Sequence, residues 1–490
     1  MDFHGRDSDL RRLSRLLDGV ESKAGATRGR AVIMTGRRRV GKSRLAQEFC
    51  DRTGREYFMF QATRGRNAMA ERRDFLAALT QSGLNAPAIF AHLSPPDWNG
   101  TLRALAEFLP DDRPTVVVLD EVPWLVEQDA EFEGALQTVW DQDLSQKPVL
   151  LILIGSDLSV MEALQTYGRP FFGRATKLDI TPLNVADVQD MTGLGAAEAI
   201  DTHLLTGGFP EIVQTWEAGQ PRVEFLRGMV SDPLSPLLVA GELSLLGEFP
   251  ESSRSRAILE AIGDGERTFS AIAAAAGSSG ALPAGTLNPL LKTLEAKRIV
   301  ETDLPLSTSS DTKNKRYRIS DSYLRFWLAF LRRAIPFVER GRSDVALDRI
   351  ERSWSTWRGR AVEPLVRESL LRILLDSRWP EVEAVGGWWN RQNNPEVDLV
   401  GADRTPTARR VEFLGSVKWY ETASFGAHEL KELARARGAV PGTGDATPLV
   451  AVSRCGVDPG LPLAAHWGPD EIVGAWRQGP DRETFPWLAR

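Results

Sequence analysis

The chain has 490 residues, 42% of them hydrophobic and 26% charged, with a net charge of −6. That length exceeds what one core serves and implies roughly three or four structural units. The acidic balance excludes a uniformly basic nucleic-acid binder and leaves room only for a local basic face. The most apolar run, Val149 to Ile154, is too short to cross a bilayer, and the charged start MDFHGRDSDLRRL is unlike a secretory leader, so a cytoplasmic protein without a membrane partner is expected. Cys50 and Cys455 fall in no ligand pattern and the five histidines are scattered, which argues against disulfides and zinc and gives each histidine a solvated or capping role.

In chain order, Ala31 to Met34 reads as a buried parallel strand and Ser43 to Phe49 as a helix with Leu45 and Phe49 on one face. Between them Gly36, Gly41, Lys42 and Ser43 complete G-x-x-x-x-G-K-[ST]. Glycines in such a loop let consecutive N–H groups curl round an anion, and the helix N-terminus adds positive potential. Lys42 is then expected to reach the β- and γ-phosphates of ATP and Ser43 to ligate Mg²⁺, while Arg37 to Arg39 point away. The strand in PTVVVLDE ends in Asp120, expected to hold Mg²⁺, and Glu121, expected to polarise the attacking water. The next strand, Val149 to Ile154, runs into Ser156 and Asp157, of which either senses the γ-phosphate or caps the following helix. In RPFFGRATKLDITPL, Arg169 and Arg174 flank an exposed-looking aromatic pair, and Arg174 is the better candidate for an arginine finger, in cis or across a homo-oligomer.

Phe3, Gly5, Arg6, GRRRVGKS, VVVLDE, LIGSDLSVMEAL, PFFGRAT and TGGFPE together resemble the archaeal-type P-loop ATPases, which belong with the STAND and AAA+-like NTPases. The resemblance implies an α/β P-loop core and a helical lid. It further implies that Gly5 and Arg6 lie by the base and that Pro210, after Gly208, packs near the adenine.

From Glu251 the character changes. SRAILEAIGDG, TFSAIAAAAG and LNPLLKTLEAKRIVETDLP read as three helices, the last followed by a strand, and KNKRYRIS reads as a basic partner strand. That order makes a winged helix-turn-helix, with Lys292, Lys297, Arg298, Lys315 and Arg316 as candidate DNA contacts. The module serves either DNA contact or packing on the lid. In SDSYLRFWLAF the stripe Tyr323, Phe326, Trp327 and Phe330 reads as core. The YRISD-then-FW pattern resembles family members that carry a further C-terminal domain.

That domain opens with a helix over Arg358 to Ser377, on whose edge Glu363 lies. A strand with Glu396 and Asp398 follows, then the strand in RRVEFLGSVKW, ending near Lys418. Glu363, Asp398 and Lys418 resemble three positions of the PD-(D/E)xK restriction-endonuclease-like pattern, which holds Mg²⁺ with carboxylates and steadies phosphate with lysine. Ser416 stands where the pattern has an acid. Strand alternation puts Glu412, Leu414, Ser416 and Lys418 on one face, with Glu412 too far along to substitute. The site is therefore expected to be degenerate, and Trp388, Trp389 and Trp419 to be packing residues.

The expected organisation is a P-loop ATPase domain over 1–182, a helical lid over 183–250, a winged helix-turn-helix over 251–320, connecting helices over 321–350 and a restriction-endonuclease-like α/β domain over 351–490. The ligands expected are ATP or ADP with Mg²⁺, and the expected macromolecular partner is DNA.

Overall fold

A computed structural model describes residues 3–20, 28–84, 86–248, 253–278, 280–376 and 378–477. The junction expected between 250 and 251 and the segment 478–490 lie outside the described residues. The chain divides into two compact units, Met1–Pro182 and Leu183–Arg490. Among the described residues no single helix is long and apolar enough to cross a membrane.

The first unit is built on five parallel strands: β1 (Arg30–Thr35), β2 (Tyr57–Gln61), β3 (Thr115–Asp120), β4 (Val149–Ile154) and β5 (Ala175–Asp179), in the order β2-β3-β4-β1-β5. β1, β3 and β4 read as unbroken apolar runs because both of their faces are covered. Ile33, Val117, Leu119, Leu151 and Leu153 pack with Phe75, Trp98 and Phe132 in one core. Parallel pairing sets Met34 beside Ile154 and Leu119 beside Leu153, so the residues after β1, β3 and β4 gather at one edge of the sheet.

The second unit begins with helices Val185–Thr192 and Ala196–Thr206 and then Pro210–Val213, Arg222–Ser231 and Pro236–Glu248. Helices Ser253–Gly263, Phe269–Ala275 and Ala284–Ala296 follow, and lead into the antiparallel pair β6 (Val300–Asp303) and β7 (Arg316–Ile319). Tyr323, Phe326 and Trp327 are buried. A five-stranded mixed sheet closes the unit: β8 (Ala384–Trp389), β9 (Glu396–Ala402), β10 (Val411–Lys418), β11 (Leu449–Ser453) and β12 (Ala465–Trp467). β8, β9 and β10 are antiparallel neighbours, while β10, β11 and β12 run parallel. Val185, Ile200 and Leu204 share one core with Val366, Leu370, Phe413 and Ile472, so the expected lid helices and the C-terminal sheet pack as one body.

Two local expectations change. The single helix expected over Arg358 to Ser377 is two, Ser343–Ala361 and Glu363–Ile373. Pro364 has no N–H to give the carbonyl of Arg360, and that oxygen instead accepts Arg325 Nη2 at 3.0 Å. The β10–β9 register also shifts between Val411 and Phe413. Val411 consequently joins Leu414 in one core while Phe413 faces the other, so simple alternation does not carry through Glu412.

Candidate functional site

The loop between β1 and helix Lys42–Thr53 turns on Gly36 at φ 151° and Gly41 at φ 90°. A Cβ on Gly36 would run into the carbonyl oxygen of Ile180, so the chain crosses there only because the residue is glycine. Val40 is buried and anchors the loop, whereas Arg38 and Arg39 face solvent and Arg37 is half-buried. The Lys42 side chain is buried, and its Nζ donates to the carbonyls of Gly36 at 2.8 Å and Arg37 at 3.0 Å, which sets the ammonium in the curl of the loop. Gly5 and Arg6 have φ of 68° and 67°. Arg6 Nη2 donates to the carbonyl of Val40 at 2.7 Å, so the expected base-side pair braces the loop from behind. This brace spans 34 residues and has no signature in either motif.

At the same edge Asp120 is 1% exposed. Its Oδ1 accepts the Glu121 amide at 2.9 Å; its Oδ2 is buried, and no group among the described residues donates to it. Burial pushes the carboxyl above its ordinary range, the Ser43 hydroxyl pulls it back, Glu121 pushes it up and Lys42 lowers it. A buried anionic oxygen without a donor, flanked by a hydroxyl, suits a small hard cation. Glu121 itself is left-handed at φ 54°, a conformation costly for this residue type that turns its side chain off the strand line. Ser156 Oγ lies 3.1 Å from both Glu121 carboxylate oxygens, so the β3 and β4 ends are joined through these two side chains. Asp157 takes the other role left open for it: its Oδ1 accepts the Ser159 and Val160 amides and caps the helix Leu158–Ala163.

Arg174 is engaged locally: its Nε and Nη2 bind the two Asp141 oxygens at 2.8 and 2.7 Å and its Nη1 donates to the carbonyls of Pro170 and Phe172, so the candidate finger is held within its own turn. Arg169 pairs with Glu133. Of the aromatic pair, Phe171 is fully buried and only Phe172 is exposed. Pro210 begins the helix Pro210–Val213 in the second unit, behind Gly207 and Gly208 at φ 60° and 69°. His203 is half-buried rather than solvated, and desolvation pushes its imidazole down to about 4.

In the C-terminal sheet, Asp398, Ser416 and Lys418 line one cavity of about 310 Å³, together with Glu396, Glu429 and Glu432. Asp398 Oδ2 accepts the Ser416 hydroxyl at 2.9 Å and the Val417 amide at 2.8 Å. Glu363 does not join this group; it lines a different cavity and is held by Arg367, whose Nη2 also donates to the Asp398 carbonyl at 2.9 Å. Burial, opposed by Arg367, pushes Glu363 up to about 7. Arg367 was missed in the sequence, although its i, i+4 spacing from Glu363 was a signal. Neither alternative carboxylate replaces the missing acid, since Glu396 is paired with Arg316 and Glu412 with Arg410. Among the described residues no three His, Cys, Asp or Glu side chains converge as a metal-binding group.

Of the candidate DNA contacts, Lys292, Arg298 and Lys315 are exposed and Lys297 is half-buried. Arg316 is the exception. It is 6% exposed, bound to Glu396 and to Asn393, and lies over the Trp389 ring at 4.1 Å, so it holds the hairpin to the sheet instead of facing a partner.

Residues 2–152 match a family model described as AAA ATPase domain. With the loop and strand-edge geometry, that match makes this stretch of the first unit similar to AAA ATPase domains and consistent in fold with a P-loop core. Residues 327–430 match a model described as archaeal and bacterial proteins of unknown function. The chain is 25% identical over 422 residues to the uncharacterized protein MJECL04 of Methanocaldococcus jannaschii, spanning 85% of this chain and 87% of that one. Among solved structures it is similar to the Walker-type ATPase paby2304 of Pyrococcus abyssi, at 21% identity and TM-score 0.49, over 67% of this chain and 96% of the other. It is also similar to the Aeropyrum pernix ORC2 protein in its ADPNP–ADP complexes, at 13% identity and TM-score 0.46, over 70% and 95% of the two chains.

Proposed function

We propose that the chain hydrolyses ATP with Mg²⁺ at the edge of the first sheet and that nucleotide state governs contact of the second unit with DNA. The observation that carries the catalytic part is the buried, donorless Oδ2 of Asp120 beside the P-loop. Backbone amides from Gly36 to Ser43 and the Lys42 ammonium bind phosphate oxygens, and Ser43 and Asp120 hold the metal. Mg²⁺, when bound, neutralises charge on the phosphates. Glu121 orients the attacking water and accepts its proton, and the Ser156 hydroxyl fixes the direction of that carboxylate.

In the second unit we read the three helices with β6 and β7 as a winged helix, with Lys292, Lys297, Arg298 and Lys315 meeting phosphates. The order helix, three antiparallel strands, helix and parallel strand from Glu363 to Ser453 supports a restriction-endonuclease-like reading of the terminal sheet. We read its site as non-catalytic, because the Ser416 hydroxyl and Val417 amide occupy the Asp398 oxygen that a metal would need. This favours a STAND-like switch, in which ATP or ADP sets the binding state, over an ATP-driven nuclease.

Calorimetry with ATP and Mg²⁺ tests the first part: binding is expected, and Lys42→Ala is expected to abolish it. No heat, or heat indifferent to Lys42→Ala, overturns the reading. Incubation with labelled duplex and single strands, with Mg²⁺ or Mn²⁺ and with or without ATP, tests the second. Salt-sensitive binding without cleavage is expected. Cleavage that disappears in Asp398→Ala would instead make the terminal domain a nuclease.

A further inference from the structure

We propose that the cavity walled by β7 and by helices Ser343–Ala361 and Glu363–Ile373 is a second ligand site, built for a phosphate-bearing nucleotide, either free or at the end of a nucleic-acid strand. It lies wholly within the second unit and shares no residue with the P-loop, although β7 also belongs to the winged helix proposed above.

Its volume of about 410 Å³ is in the range of small-ligand sites. In a chain of net charge −6, eight arginines line it against three carboxylates. Five of the eight are paired with carboxylates. The other three, Arg267, Arg325 and Arg360, are not. Arg325 donates only to the carbonyls of Arg360 and Ala361, at 3.0 and 3.4 Å. Among the described residues the guanidinium groups of Arg267 and Arg360 have neither a hydrogen bond nor an ion pair, although Arg267 is half-buried.

Guanidinium groups gathered in this way repel one another, a cost that an anion between them relieves. Burial lowers Arg267, with Arg316 and Arg360 adding to it and Glu396 and Glu363 opposing, and burial brings Arg325 down to about 10, with Arg318 adding to it and Glu363 and Asp303 opposing. Planar guanidinium forks match phosphate oxygens better than they match any other common anion except carboxylate. The aromatic wall decides for a nucleotide over bare phosphate. Phe330 and Trp357 are both half-buried at the cavity, their rings edge-to-face at 5.7 Å, and offer the apolar surface on which a base stacks.

The test uses the full chain carrying Lys42→Ala, so that the P-loop contributes nothing. It is titrated calorimetrically with AMP, with a short 5′-phosphorylated single strand and with the same strand lacking the phosphate. Binding of AMP or of the phosphorylated strand is expected, and the tighter of the two identifies the source of the phosphate. Arg267→Gln with Arg360→Gln is expected to weaken binding by about tenfold or more. Arg360→Glu alters an exposed side chain that makes no hydrogen bond or ion pair among the described residues, and it is expected to act in the same direction even if the double variant does not fold. Absence of heat from both phosphorylated compounds overturns the proposal. So does equal binding of the unphosphorylated strand, or affinity unchanged in the arginine variants.

Discussion

Two sheets in this molecule carry a carboxylate near a strand terminus, Asp120 as the last residue of β3 and Asp398 close to the start of β9, and the two differ in what surrounds their oxygens. On β3, Asp120 keeps one buried oxygen with no donor, and its neighbour Glu121 is aimed by a serine on the adjacent strand. On β9, Asp398 lines a cavity together with Lys418, yet its Oδ2 is taken by the Ser416 hydroxyl and the Val417 amide. Position on a strand therefore does not make a carboxylate available for chemistry; what matters is whether local donors have already filled its lone pairs. Elsewhere in the second unit a buried charge is likewise tied to partners distant in the chain. Arg358, fully buried, joins Asp201, Glu421 and the carbonyl of Trp419, and so ties helix Ala196–Thr206 to the segment after β10.

This contrast predicts a clean separation of effects. Glu121→Gln keeps the shape of the side chain and removes the base, so ATP turnover is expected to fall by about 10²- to 10⁴-fold with ATP binding and urea midpoint unchanged. A turnover close to the parent's would show that the open end is not the reactive one. Arg358→Leu is expected to do the reverse. It strands the buried Asp201 carboxylate, whose burial already pushes its pKa up against Arg358 and Arg454, and costs about 3–5 kcal/mol in urea unfolding. If Arg358→Leu leaves stability intact, the second unit is not held by its satisfied polar groups.

The open end was far more legible in the sequence than the satisfied one, and distance along the chain explains why. The P-loop is a local motif, so Gly36, Gly41 and Lys42 could be placed from neighbouring residues. The ends of β3 and β4 followed because parallel strands share an edge. The binding partners that close the second site are 18 and 19 residues away, across a hairpin with a register shift. Arg316 was misplaced for the same reason: its partner Glu396 is 80 residues on, and a basic strand looks identical whether it faces DNA or a buried carboxylate. Pro364 was a signal for a helix break that the single-helix reading passed over, and only the Arg325 contact shows how the freed carbonyl is satisfied. His203 carried no signal of burial, since its neighbours in a helix give no count of what covers them.

His203 supplies a pH test of the satisfied region. Unfolded, the imidazole takes a proton near 6.5; folded, it does so only at about 4. Between those values the unfolded chain binds the extra proton, so stability falls as pH drops through that window, by on the order of 3 kcal/mol at its foot. Urea midpoints measured from pH 7 to pH 4 are expected to fall less steeply in His203→Gln. Parallel curves would mean that the histidine is hydrated in solution.

The smallest change addresses the contrast most directly. Ser416→Ala removes one of the two donors to Asp398 Oδ2 and is expected to cost about 1 kcal/mol, since the Val417 amide remains. Ser416→Glu goes further and sets a second carboxylate two residues before Lys418. Without a divalent cation the two like charges repel, so this variant is expected to melt below the parent. With Mn²⁺ it is expected to recover, because an ion can then share both carboxylates. The parent chain has no such pair, and its melting temperature is expected to ignore Mn²⁺ at this site. Recovery in Ser416→Glu alone would show that one hydroxyl separates the closed sheet edge from an open one. A Ser416→Glu chain indifferent to Mn²⁺ would instead place the difference in the backbone, where the Val417 amide and Arg367 hold Asp398 turned away from any ion.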